Sequence, residues 1–272
     1  MILASVSFAL MSLVVRLSGG EIPLFEQLLS RNFFMVILSY IWLKQAGLSI
    51  IPEKSNMMDV FFRCLFGYLG TIAVFYANRN MLLADAQILQ KLSPFFVALF
   101  AWLLSRENVR RRTIVGMLLA FVGALFVIGP SGNFRNIATL VGLSSAIFSA
   151  LAYSFIHRLS GREHPLRIIF LFSLTSFFVT IPLSVGDFVI PSVRDIGMLF
   201  LIGLFASGGQ YFMTSAYHQA PAAQIAIFDY TGLLLSPLLG FLFLSELPGW
   251  TTFVGAFFII LGGWVSIEKQ RV

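Results

Sequence analysis

Residues 113–130 read TIVGMLLAFVGALFVIGP, an uncharged run set directly behind Arg110-Arg111-Arg112. A bilayer's hydrocarbon core is about 30 Å thick, so a helix that crosses it needs roughly 20 mostly apolar residues. Apolar side chains fall on every face of this run. A membrane β-strand would instead alternate in polarity over about 10 residues. The stretch reads as a spanning helix with a basic anchor at one end.

Working outward, the same reading gives runs near 2–18, 25–43, 58–77 and 83–105 before it. Others lie near 138–157, 166–186, 195–216, 222–244 and 250–267 after it. These ten runs occupy almost the whole of the 272 residues, and the connections are too short to hold a soluble domain. Hydrophobic residues make up 58% and charged residues 11%, with a mean hydropathy of +0.90. A soluble domain carries about 25% charged residues, so an all-α integral membrane protein is expected. Met1 opens into Ile2-Leu3-Ala4 without a basic leader, so the first run is expected to be a retained span. Cys64 is the single cysteine, and His157, His164 and His218 are scattered. No disulfide, metal site or cofactor is expected.

The net charge of +6 is distributed as a topology signal rather than a nucleic-acid surface. With a cytoplasmic N-terminus, the inner segments hold Lys44, Lys54, Arg106, Arg110, Arg111, Arg112, Arg158, Arg162, Arg167, Lys269 and Arg271. The outer ones hold only Arg16, Arg79, Arg135 and Arg194. Cytoplasmic loops carry the Lys/Arg excess, so both termini are expected in the cytoplasm of a multi-pass protein. The compact length and lack of a transit segment favour a bacterial plasma membrane.

The two halves of the chain match each other. Arg16-Leu17-Ser18-Gly19 returns as Arg158-Leu159-Ser160-Gly161, Pro23-Leu24 as Pro165-Leu166, and Ala86-Gln87-Ile88 as Ala223-Gln224-Ile225. Glu107, Thr113, Val115, Gly116 and Gly123 align at one offset with Glu246, Thr252, Val254, Gly255 and Gly262. The repeats, 1–130 and 138–268, hold five spans each. An odd number of spans turns the second copy upside down. Inverted repeats are a recurring plan of secondary transporters, since one fold used in both orientations can open to either side.

The stretch from Gly19-Gly20 through Pro23 to Arg31 resembles the EamA-type drug/metabolite transporters. So do Leu92-Ser93-Pro94 through Ser105-Arg106-Glu107 with Gly116 and Gly123, and the second copy ending at Glu246, Gly255 and Gly262-Gly263. The resemblance covers essentially the whole chain. It implies ten transmembrane helices in two inverted five-helix repeats around a central cavity. It also implies a substrate from a wide set, including amino acids, nucleotide derivatives, vitamins and drugs. The second half departs from the pattern, because span 7 has no arginine where span 2 has Arg31.

Ionisable groups within a span mark functional pathways by default. Lys91 lies two turns into span 4 and Asp229 about two turns into span 9, at near-equivalent positions of the repeats. A Lys91–Asp229 pair across the cavity is expected, with a structural ion pair as the alternative. Gln87, Gln90 and Lys91 share a helical face, with Gln224 heading the equivalent face beside Asp229 and Tyr230. Asn78 and Arg79 in span 3 and Gln210 and Tyr211 in span 8 complete the expected substrate path. Arg31 and Arg63 lie close enough to span ends to snorkel to an interface, with substrate binding as the alternative. Arg31, Arg79 and Lys91 set against one deep carboxylate point to a substrate bearing a carboxylate or phosphate. Glu107 and Glu246 are expected to brace loops. The glycines are expected to pack helices, with Gly208-Gly209 as a hinge, and Pro94 and Pro237 to bend spans 4 and 9.

The reading is a secondary active transporter that moves a small organic metabolite by alternating access. No Walker-type phosphate loop is present, so a proton gradient or a counter-solute is expected to supply the energy. Asp229 is the coupling candidate, because a carboxylate inside a span can take up and release a proton. The competing readings are a non-catalytic membrane subunit or receptor, and an enzyme acting on a lipid-linked substrate. The second would need paired acids, a nucleophile with its base, or metal ligands, and no such grouping appears.

Overall fold

In lipid, every backbone polar group must be satisfied within the protein, and a helix does this within a single segment. The structure, a computed structural model, describes residues 1–18, 21–93, 95–97, 99–100, 111–128, 137–219 and 231–266. Ten α-helices lie among the described residues, one in each expected run. The first five are α1 (Ile2–Leu17), α2 (Leu24–Gln45), α3 (Met57–Asn80), α4 (Leu83–Gln90) and α5 (Arg111–Ile128). The others are α6 (Ile137–Leu159), α7 (Pro165–Ser184), α8 (Val193–Gln219), α9 (Thr231–Leu244) and α10 (Trp250–Ser266). No strand occurs among the described residues.

Four helical stretches are long and apolar enough to cross a membrane by length and composition: Lys54–Asn80, Ile137–Leu159, Pro165–Ser184 and Val193–Ala216. Shorter apolar helices flank them. α2 has the length, but carries Glu26, Arg31 and Lys44.

The helix ends follow their sequence punctuation. Gly47 adopts φ +66° just past α2, where the Leu48 N–H reaches back to the Leu43 carbonyl at 3.1 Å. Pro165 opens α7, with His164 accepting from the Leu166 N–H at 3.2 Å. α4 tightens at its end, where Lys91 N–H reaches the Ile88 carbonyl and Leu92 N–H the Leu89 carbonyl, both at 3.1 Å. That break falls where a Ser-Pro pair was expected to disturb span 4, although Pro94 itself lies outside the described residues. α9 runs on through Pro237.

The helices pair across the bundle: α5 along α10, α3 along α6, α1 along α8 and α2 along α7. α4 and α9 touch each other and α1. Small residues permit the closest approaches, as expected where lipid gives no hydrophobic drive to helix association. A Cβ on Gly123 would stand 2.6 Å from the Gly255 carbonyl oxygen, and one on Gly262 would collide with the Gly116 carbonyl. Gly209 makes room for the Phe8 ring, whose Cε1 lies 2.7 Å from where its Cβ would be. A Cβ on Gly208 would meet Ser7 Oγ at 3.6 Å and Phe212 Cε2 at 3.9 Å, both ordinary contacts.

Burial departs from that of a soluble domain at both the surface and the interior. Phe178, Phe241, Phe253, Phe257 and Trp264 are exposed, while Gln27, Asn32, Asn78, Gln87 and Gln210 are buried. Phenylalanine outside and amides inside suit a hydrocarbon surround.

Charged groups tie the helix ends into two opposite faces. On one, Glu163 accepts from the Glu53 N–H at 2.7 Å, from Asn56 at 3.1 Å and from Arg167, while Arg158 pairs with Asp59 at 3.2 Å. Burial works to raise the Glu163 carboxyl, but the hydrogen bonds from Asn56, Glu53 and Arg167 outweigh it and hold it below the ordinary carboxylate range. On the other face, Glu246 accepts from Arg16 Nε at 3.1 Å and from the Leu83 N–H at 2.9 Å, and Thr252 donates to Asp85 at 2.8 Å. Glu246 thus braces its loop against α1 and α4. Glu107 lies outside the described residues.

Candidate functional site

A cavity of about 100 Å³ lies where eight helices meet, every one except α5 and α10. Amides and hydroxyls that would be unstable against lipid are collected here. On α4, Gln87 and Gln90 stand one turn apart and face the cavity, with Lys91 beside them at the tightened helix end. Lys91 is buried, and its Nζ would lie 3.6 Å from a Cβ on Gly232 of α9. The Lys91 side chain therefore spans from α4 to α9.

Ser12 of α1 joins three helices. Its Oγ accepts from Asn78 Nδ2 of α3 at 3.0 Å and from Gln87 Nε2 of α4 at 3.1 Å. Asn78 sits behind this serine and does not line the cavity; its Oδ1 is buried with no partner. Gln210 of α8 does line it and donates to Thr214 Oγ1 at 3.1 Å.

Other expected path residues lie elsewhere. Arg79 is held at the end of α3, donating to the Ile22 carbonyl at 2.8 Å, and is not part of the lining. Tyr211 is 38% exposed, points away from the cavity and packs on Trp42 with ring centroids 4.7 Å apart. Residues adjacent on a helix are turned about 100° from each other, so Gln210 faces inward and Tyr211 outward. Gln224, Asp229 and Tyr230 lie outside the described residues.

Of the two roles left open for Arg31 and Arg63, snorkelling to an interface is not what the structure shows. Both are buried, at 4% and 2% exposure, and both line the cavity. Their guanidinium carbons lie 5.6 Å and 4.3 Å from the centroid of the Phe172 ring of α7. Gly67, one turn after Arg63, leaves the space: a Cβ there would collide with Arg63 Nη1 and stand 2.9 Å from Phe172 Cε2. Arg31 donates to Asn32 Oδ1 at 2.7 Å, Asn32 donates to Thr180 Oγ1 at 3.3 Å, and Tyr68 lies 2.8 Å from the same oxygen. Thr180 gives its own hydrogen to the Ser176 carbonyl at 2.6 Å, so Tyr68 is the donor. Nε of each arginine is buried without a hydrogen-bond partner.

The energetics of this pair are unbalanced. Taking an ion out of water costs several kcal/mol even after relaxation, whereas a cation–π contact returns about 0.5–2 kcal/mol. Among the described residues no carboxylate lines the cavity, so the wall of α2, α3 and α7 is electropositive. The Arg63–Gly67 spacing was the available sequence signal for this arrangement. Phe172 carried none among 30 phenylalanines.

Residues 1–129 and 136–267 match the EamA-like transporter family. The chain is 35% identical over 262 residues to a pseudopaline exporter of Pseudomonas aeruginosa, covering 96% of this chain and 92% of that protein. It is 27% identical over 264 residues to a riboflavin transporter of Rhizobium johnstonii, covering 96% and 87%. A solved crystal structure superposes with a TM-score of 0.68 at 17% identity, covering 96% of this chain and 95% of that one. That likeness concerns the fold alone.

Proposed function

The chain belongs to the EamA-like transporter family, and from that premise we propose that it is a secondary active transporter of a small organic metabolite, working by alternating access. The observation that carries the mechanism is the cavity among eight helices into which Arg31, Arg63, Gln87, Gln90, Lys91 and Gln210 face, while the outer surfaces are apolar. The full two-repeat architecture around such an interior argues against a non-catalytic subunit or receptor.

The two inverted repeats, 1–130 and 138–268, are part of the proposal. Matching each helix of the first half to its counterpart turns the Gly116–Gly262 contact into the Gly255–Gly123 contact. It likewise turns the α3–α6 pair into the α8–α1 pair, and leaves α2–α7, α4–α9 and α5–α10 each as itself. These relations support a pseudo-twofold axis in the membrane plane, which gives two states of similar energy open to opposite sides.

The substrate path we assign holds Gln87, Gln90, Lys91 and Gln210, joined by Gln224, Asp229 and Tyr230 from span 9. Lys91 reaching Gly232, three residues beyond Asp229, supports a pairing of Lys91 with that carboxylate. Protonation of Asp229 would then release Lys91, coupling solute movement to a proton gradient. Exchange against a counter-solute uses the same cavity without that step. Export is the direction assigned, following the relative named as a pseudopaline exporter.

The test is solute movement in proteoliposomes. Purified protein is given a pool of amino acids, vitamins, nucleotides and organic acids, and mass spectrometry reads what accumulates with and without a proton gradient. Gradient-driven or counterflow accumulation of one solute class is expected. No accumulation by correctly folded protein under either condition overturns the proposal.

A further inference from the structure

Arg31 and Arg63 have no place in the Lys91–Asp229 scheme, and they differ from the other arginines of the bundle. Arg16 donates to Glu246, Arg79 to the Ile22 carbonyl, Arg158 pairs with Asp59, and Arg167 with Glu163. Each of those guanidiniums is closed on an acceptor near a helix end. Arg31 and Arg63 are deeper, and neither pairs with a carboxylate among the described residues. Their Nε atoms are buried without partners.

The surroundings keep both groups in the cavity. Phe172 presents one ring to both cations. Gly67 leaves the volume that the Arg63 guanidinium fills. The Asn32–Thr180–Tyr68 chain holds Arg31 from behind through a single donor, leaving the rest of its fork uncommitted. A guanidinium fork matches the two oxygens of a carboxylate in one plane. Two forks on one aromatic wall, with amide groups across the cavity, describe a receptor for an organic anion.

We infer that Arg31 and Arg63 form a clamp, floored by Phe172, that binds the carboxylate of the transported solute. The clamp selects organic acids over neutral and cationic solutes of the same size. Transport of that solute rests on the function proposed above, whereas its binding rests on the arginines themselves.

The experiment uses the full chain in lipid nanodiscs. Thermal stabilisation and titration calorimetry are run with citrate, succinate and glutamate, with succinamide as the uncharged comparison, and with inorganic phosphate as a separate arm. At least one carboxylate is expected to bind, and succinamide at least tenfold more weakly than succinate. Arg31→Gln and Arg63→Gln are each expected to weaken carboxylate binding tenfold or more, and Arg63→Lys to weaken it less. Should either glutamine variant fail to fold, the succinate–succinamide comparison on the unaltered protein decides.

Absence of carboxylate binding, equal binding of succinamide, or unchanged affinity in folded glutamine variants overturns the clamp. Binding of phosphate alone overturns the carboxylate assignment. Counterflow of the same solutes in proteoliposomes separates the two proposals. Carboxylates bound at the arginines but never moved leave the clamp and remove the transporter reading. Neutral or cationic solutes moved equally well by Arg31→Gln and Arg63→Gln do the reverse.

Discussion

Gly123 of α5 lies so close to Gly255 of α10 that a Cβ on the first would stand 2.6 Å from the carbonyl oxygen of the second. Gly262 and Gly116 repeat the contact a few turns away on the same two helices. The obstacle is backbone, which cannot rotate aside as a side chain can. Gly123→Ala and Gly262→Ala should therefore force the helices apart, at a cost of about 1–3 kcal/mol. Gly186→Ala and Gly197→Ala meet nothing within 4 Å and should not lower stability, and Gly197→Ala inside α8 should raise it by up to about 1 kcal/mol. Thermal unfolding in detergent compares the four. Equal midpoints for the tight and open positions would refute the close packing.

Glu163 gives a pH dependence whose sign is fixed by its partners. Its folded carboxyl sits below the ordinary value of 4.5 because Asn56, the Glu53 N–H and Arg167 all donate to the ionised form. A depressed acid contributes stability that is fully present above its unfolded pKa and is lost as pH falls through the folded one. Glu163→Gln should thus be less stable than the unaltered protein at neutral pH, by about 1–3 kcal/mol for the donors left short. The gap should stay constant above about pH 4.5 and close below it. Thermal midpoints across pH 3–7 measure this, and a gap that widens in acid would reverse the assignment.

Much of this architecture is legible in the sequence, because lipid imposes one rule on backbone and another on side chains. The limits of α3, α6, α7 and α8 fall within a few residues of the apolar runs. Gln87, Gln90 and Lys91 can be read as one face by helical spacing alone. Arg31 and Arg63 cannot, since distance along a helix gives the depth of a Cα and not the direction of a long side chain. Their inward turn depends on space left by Gly67 and a ring supplied by Phe172, more than a hundred residues further on. Tyr211 fails for the opposite reason: an aromatic hydroxyl inside a span suggests the interior, yet its neighbour Gln210 already occupies that face.

The contrast between those neighbours is a test in itself. Gln210 lines the cavity and Tyr211 packs on Trp42 outside it. In proteoliposomes Gln210→Ala should lower transport about tenfold, in line with one lost buried hydrogen bond of about 1.4 kcal/mol. Tyr211→Phe keeps the ring and should transport normally. Lys91→Met should abolish movement in folded protein, and Asp229→Asn should abolish the response to a proton gradient while sparing exchange. Normal gradient-driven transport in both of the last two variants would make the polar interior purely structural.

The two charged faces of the bundle predict how it sits in the membrane. Arg158, Arg162 and Arg167 share a face with Lys54 and the Glu163 cluster, whereas Glu246, Asp85 and the α7–α8 connection lie on the other. The first face carries the basic excess and should be cytoplasmic. Cys64 is the single cysteine and is buried, so Cys64→Ser provides a background in which one introduced thiol reports alone. Arg162 and Asp187 are exposed in connections on opposite faces. With a membrane-impermeant thiol reagent on intact bacterial cells, Asp187→Cys should label at once and Arg162→Cys only after permeabilisation. The reverse pattern would turn the molecule over, because a tight bundle with its charges fixed at both ends has no way to present both faces to one side. It would also exchange the side from which each state of the transport cycle opens, leaving the cavity chemistry untouched.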